Sequence, residues 1–437
     1  MHNVNMKHDD SFFIGLLKSE VVPALGCTEP IAVALASAKA REVLGYEPDR
    51  IDVVVSHNIL KNGMGVGIPG TGMVGLHIAA ALGVIGGNAD AVLEVLKDIS
   101  PKHIEKAKEY VKESKVTVKS QDTESKLYVQ VSCYFNEHSS CVTIEQCHSN
   151  ITSIVVDGKE MLKRQCSKDK NQGSKDVEVY HEDTSHTNIK EIYNFATAVE
   201  FEKIEFILQG AVMNKTVALE GLKNNYGLKV GKTLKDKIDK HILSDDIQNR
   251  AMAMTAAASD ARMAGCMLPV MSNSGSGNQG ITVMMPVVVV AEHLNVSEEK
   301  LARALVIANL VAIHIKSYLG RLSALCGCVV ASSGASAGIV YLMDGDETKI
   351  EYAIKNMTGN IAGMICDGAK TGCALKVSTG VSAAIQSALL AMDGIEISYN
   401  DGIIDRDIEK TIENLAKIGR DGMTKTDELI LDIMTCK

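Results

Sequence analysis

The chain has no tryptophan, and aromatic residues make up only 4% of its 437 positions. An aromatic-rich sandwich is therefore a poor fit. Interior volume has to come from Ala, Val, Ile, Leu and 19 Met, brought close by 36 Gly, which suits helices lying directly against one another. Basic clusters interleaved with aromatics are missing too. A net charge of −9 and a pI near 5.8 argue against a nucleic-acid partner, which needs a basic face. The most apolar run, 281–291, contains Pro286 and is too short to span a bilayer, so no membrane partner is expected. Residues 1–13 lack the apolar core of a secretion signal, and the protein reads as cytoplasmic. The paired C-x2-C units of structural zinc sites and the C-x2-C-x2-C run of ferredoxins are absent as well.

What is present points to an α+β protein. The chain is long enough for one large domain and a smaller one. Residues 12–45 read as two helices broken at Pro23–Gly26. Residues 51–56 read as a strand, and 72–97 as small-residue helices. A helix at 101–113 then precedes alternating runs at 127–133, 141–145 and 151–156, which are strand signals. Residues 166–188 are loop-like. Helical periodicity dominates from 189 onward, interrupted by Gly/Ser/Asn clusters at 272–280, 332–338 and 356–380. The expected architecture is a large, mostly helical catalytic domain (1–97 and 186–437) with an inserted small α+β domain (98–185) carrying an antiparallel sheet.

Eleven cysteines is a high count for a compartment that keeps thiols reduced, and a disulfide framework is not expected at this length. Cys326, Cys366 and Cys373 all sit beside Gly and other small residues. Seven residues of ideal helix would set Cys366 and Cys373 roughly 10 Å apart, but Gly368 and Gly372 can break it and bring the thiols together. Cys326 and Cys328 cannot face one site unless the chain turns at Gly327. On spacing alone a metal site and packed core thiols both stay open.

Cys27 stands directly before Thr28-Glu29-Pro30. Thr28 suits an N-cap and Pro30 a first helical turn, so the Cys27 thiol would feel the positive end of a helix dipole and lean toward thiolate. Glu29 reads as a helix-start carboxylate. The Gly-rich stretches 63–75 and 273–280 are dense in backbone donors and suit an anion, although neither is a P-loop. Asn62, Ser274, Ser276 and Asn278 are the candidates for substrate contact. A Gly/Ser loop at 332–338 would shield the thiol site. His57, His77, His293 and His314 read as structural, and Cys436 as an exposed thiol or a cap for that site.

The segments LGCTEPIAVALA (25–36), KNGMGVGIPGT (61–71), SNSGSGNQGI (272–281), CGCVVASSGASAG (326–338) and GMICDGAKTGCALK (363–376) together resemble the L-cysteine desulfidase family, related to iron–sulfur-dependent L-serine dehydratases. The resemblance implies a [4Fe-4S] cluster on Cys326, Cys366 and Cys373, with Cys328 not a ligand and Cys27 the proton acceptor. It implies α,β-elimination of L-cysteine to hydrogen sulfide, pyruvate and ammonia. L-serine dehydration is the nearest alternative. A pyridoxal-phosphate lyase and a non-enzymatic iron–sulfur sensor are more distant ones. The expected partner is a small amino acid, and a homodimer is allowed.

Overall fold

The computed structural model describes residues 8–123, 125–163, 187–320 and 323–436. The loop-like stretch 166–188 lies outside these residues as far as 186. The architecture is α+β, with helices forming most of the body. Eight strands are present in the described residues: β1 (Pro23–Ala24), β2 (Arg50–Ser56), β3 (Val116–Gln121), β4 (Tyr128–Phe135), β5 (His138–Glu145), β6 (Ile151–Val156), β7 (Lys159–Lys163) and β8 (Val270–Met271).

Six of them form one sheet in the order β3-β2-β4-β5-β6-β7. This sheet is mixed and not purely antiparallel, because β2 and β3 run parallel with Val53 opposite Val118. The link between them passes through helices His57–Gly63, Leu76–Gly86 and Pro101–Lys112, and so long a crossover permits parallel pairing. Residues 98–185 do not close the sheet alone, since Arg50–Ser56 lies between β3 and β4. Alternation decides which face is buried. Ile51, Val53, Val55, Val129, Val131 and Val142 face inward against helices Thr28–Leu44 and Leu76–Gly86, forming a core of their own.

The larger core belongs to the helices after residue 188, joined by Asp10–Glu20. Helix Gly327–Leu342 packs against Glu298–Leu319, Gly277–Leu294, Glu347–Ile361 and Cys373–Met392. Two of these, Glu298–Leu319 and Cys373–Met392, are long and apolar enough to cross a membrane, but 72% and 56% of their most apolar stretches are buried within the protein.

The expected loop at 332–338 is instead the interior of helix Gly327–Leu342. Its serines bond back into the helix, Ser333 Oγ to the Val329 carbonyl at 2.9 Å and Ser336 Oγ to that of Ser333 at 2.8 Å. A side chain at Gly334 would stand 2.3 Å from the Ala308 carbonyl oxygen of the neighbouring helix. Gly and Ser here serve close helix packing. The same holds at Gly221, where a Cβ would lie 2.0 Å from the Ala257 carbonyl. Gly221→Ala should therefore destabilise the protein by about 1–3 kcal/mol through overpacking. Gly422→Ala, with open space around it, should change stability by less than about 0.5 kcal/mol. Urea-unfolding midpoints would show the difference, and equal midpoints would refute it.

Candidate active site

Helix starts from four distant parts of the chain border one buried cavity of about 120 Å³. Cys27 caps helix Thr28–Leu44, Ser276 caps Gly277–Leu294, Cys326 caps Gly327–Leu342, and Cys373 opens Cys373–Met392. Thr28 is thus the first helical residue and not the cap. Its hydroxyl donates to the Gly275 carbonyl at 2.9 Å, tying the Cys27 segment to the 272–276 loop. That tie is reinforced by antiparallel pairing of β1 with β8 and by Ser272 N–H donating to the Val22 carbonyl at 2.9 Å.

Two of the three candidate thiols are set side by side by backbone pairing. Leu325 and Ile365 form an antiparallel bridge, with Cys326 N–H donating to Met364 O at 2.9 Å and Cys366 N–H to Ala324 O at 2.7 Å. Their sulfurs are hydrogen-bonded. That bond, with Lys61 and Lys376 nearby, draws Cys366 below the usual thiol range against burial, while the same bond and burial push Cys326 up. The chain then turns at Gly368, in the left-handed region at φ +88°, where a Cβ would meet the Lys61 carbonyl oxygen at 2.4 Å. This turn brings Cys373 round to the same cavity. Cys328 also borders the cavity, but its thiol donates to the Lys376 carbonyl at 3.1 Å and burial pushes it up to about 12.

Bordering the same cavity, Cys27 Sγ donates to Glu29 Oε2 at 3.0 Å, and Asn62 Nδ2 donates to Glu29 Oε1 at 3.1 Å. The expected thiolate at Cys27 is not favoured. Burial pushes this thiol far up, Glu29 adds to it, and the dipole and Arg262 do not compensate. Glu29 carries the charge instead. Burial raises its carboxyl, but His148, the Cys27 thiol, its own backbone and Arg262 together hold it below the ordinary value. His148 is buried in the turn between β5 and β6, so the sheet contributes to the electrostatics of the site.

Of the substrate-contact candidates, Asn62, Ser276 and Asn278 border the cavity. Ser274 does not. Its hydroxyl donates to Asn273 Oδ1 at 2.9 Å and its N–H to the Glu20 carbonyl at 3.0 Å, which makes it a loop brace. From the 63–75 stretch nothing borders the cavity, and Cys436 is exposed and away from it. His314 is buried between Thr187 and Glu409, a structural placement. Sequence reasoning missed Arg262, Gln279, Thr282 and Lys376 as lining groups. Gln279 lies within the quoted SGSGNQG run. Arg262 ends an Ala-rich helix and has no local signal.

The cavity is thus lined by Cys, carboxylate and amide groups gathered at helix starts. The chain belongs to the serine dehydratase alpha-chain family, whose sequence profile matches residues 90–432. It is similar over nearly its whole length to UPF0597 proteins. That of Oleidesulfovibrio alaskensis is 50% identical over 432 residues, 99% of each chain. That of Phocaeicola vulgatus is 48% identical over 97% of each. That of Aeromonas hydrophila is 46% identical over 100% of this chain and 99% of its own. Membership places the protein among serine dehydratase-like lyases, a family associated with iron–sulfur serine dehydratases.

The donor set fits such a cluster. Cys326, Cys366 and Cys373 border one cavity, and cysteine thiolate is the usual ligand of iron–sulfur clusters. Among the described residues no three His, Cys, Asp or Glu groups stand at single-ion spacing.

The depressed carboxyl of Glu29 has a consequence for stability. Its contribution is present above the ordinary value of 4.5 and is lost as pH falls through the lower folded value. Glu29→Gln should flatten the acid limb of a stability profile taken from pH 7 to 3. Superimposable acid limbs would refute the assignment of charge to Glu29.

Proposed function

We propose that the protein is a [4Fe-4S]-dependent lyase that eliminates the β-substituent of L-cysteine, acting in a reducing cytoplasm. The reading rests on one observation above others: Cys326, Cys366 and Cys373 border the same buried cavity as the Cys27–Glu29 pair. Cys326, Cys366 and Cys373 would hold the cluster, which when bound would supply a Lewis acid toward the substrate's leaving group.

The chain's own residues handle the proton. As the α-carbon loses its proton to Cys27 Sγ, the thiol's original proton passes along the 3.0 Å hydrogen bond to Glu29. Asn62 Nδ2 holds the carboxylate in line from its other oxygen. The electron pair left on the α-carbon forms the double bond, and the C–S pair leaves with sulfur as hydrosulfide. Aminoacrylate is released and hydrolyses to pyruvate and ammonia. Burial of the pair excludes bulk water that would compete for the proton.

L-serine is the second reading, favoured by the family's own name. It differs in the leaving group alone. The sequence around Cys27 supports cysteine.

Anaerobically reconstituted protein should therefore release sulfide and pyruvate from L-cysteine, with kcat/KM above that for L-serine. A reversed ratio would replace the first reading by the second, and no product from either would end both. Cys27→Ala should keep its iron and lose about 10²–10⁴ in kcat, the usual worth of a positioned base. Cys366→Ala should lose iron as well as activity, whereas Cys328→Ala should keep its iron.

A further inference from the structure

Four of the buried polar atoms that lack a hydrogen-bond partner belong to side chains bordering this one cavity: Arg262 Nε, Asn62 Oδ1, Gln279 Oε1 and Thr282 Oγ1. Unpaired buried polar atoms cost about 1–3 kcal/mol each, so a concentration of them in one place calls for a ligand.

Their chemistry is sorted. Arg262 is 4% exposed, and among the described residues no carboxylate forms an ion pair with it; its Nη1 meets only the Met263 sulfur at 3.3 Å. Lys376, the other cation on the cavity, is already engaged with Asp367 and with the Ile365 carbonyl at 2.6 Å. The guanidinium lies against the start of helix Gly277–Leu294, where a Cβ at Gly277 would stand 2.2 Å from Arg262 Nε. An unpaired guanidinium at a helix N-terminus is a carboxylate receptor.

The acceptors' orientations are fixed by their partners. Asn62 gives its NH₂ to the Glu29 carboxylate, so its oxygen turns away from it. Gln279 Nε2 donates to Asn273 Oδ1 at 2.8 Å. Asn273 is itself oriented by giving its own NH₂ to Asn309, at 2.9 Å from Oδ1. Both remaining oxygens are free to receive an ammonium.

We infer that the cavity recognises a zwitterionic α-amino acid at both ends, with Arg262 taking the α-carboxylate and the amide oxygens of Asn62 and Gln279 taking the α-ammonium. This deepens the lyase reading and rests on it for the reaction, though not for the binding. It assigns the carboxylate to the protein and leaves the β-substituent facing the thiols. It also separates this site from one for hydroxy acids or dicarboxylates, which would leave the two amide oxygens unpaired.

The test uses L-alanine, which carries both charged ends and no leaving group, so binding is read without turnover. Calorimetry on the anaerobically reconstituted protein should find L-alanine bound at least about 10-fold more tightly than either propionate or ethylamine. Arg262→Gln should weaken L-alanine about 100-fold, with Arg262→Lys retaining part of the affinity. Gly277→Ala, which displaces the guanidinium, should weaken it in the same direction. Equal binding of L-alanine and propionate by the unmodified protein would overturn the ammonium assignment, and L-alanine affinity unchanged in Arg262→Gln would overturn the carboxylate assignment. Failure of the lyase reading looks different: L-alanine would bind as described while cysteine and serine gave no product.

Discussion

The positive ends of four helices meet at one buried cavity, and the negative charges gathered there depend on that meeting. Each helix start stabilises a nearby anion by about 0.3–1 kcal/mol, more where water is excluded. At Glu29 the cost of burying the carboxylate is outweighed by His148, the Cys27 thiol, its own helix-start backbone and Arg262. The starts are brought together by small contacts: a two-residue strand pair, a single bridge between Leu325 and Ile365, and a left-handed turn at Gly368. None of these is large, but each sets the position of one functional side chain.

The arrangement also divides labour between the two cores. The helical core supplies Cys326, and a small third cluster joins Cys373 to Cys27 through Val66 and Met263. The core around the sheet supplies helix Thr28–Leu44, with Cys27 and Glu29 at its start, and holds His148 close enough to influence Glu29. The Cys27–Glu29 pair and the candidate thiols thus reach one cavity from different helices, with Cys373 packed against the cluster that holds Cys27.

Much of the helical layout was legible because periodicity and breakers are local. Pro23–Gly26 separates the first two helices, and the strands at 128–135, 138–145 and 151–156 follow their alternation. The thiols of Cys326, Cys366 and Cys373 could be grouped through resemblance, since spacing alone left them ambiguous. Three matters escaped. The parallel partner of Val116–Gln121 lies 65 residues earlier, Ile51 facing Val116, a pairing no local pattern encodes. The run 332–338 looked like a loop because Gly and Ser favour turns, whereas here they allow helices to touch. The protonation of Cys27 was misjudged because a helix dipole is visible in sequence and burial is not; in this cavity burial wins. Arg262 was invisible for the same reason, since what marks it is that no carboxylate among the described residues forms an ion pair with it.

Lys61 carries a last consequence. Its ammonium is 3% exposed and is balanced by Asp427, on helix Thr424–Thr435, while its carbonyl underlies the turn at Gly368. Helix Thr424–Thr435 lines no part of the cavity, yet it neutralises the cation that underlies the turn carrying Cys366 toward Cys373. The far end of the chain thereby acts as a counter-charge to the floor of the site.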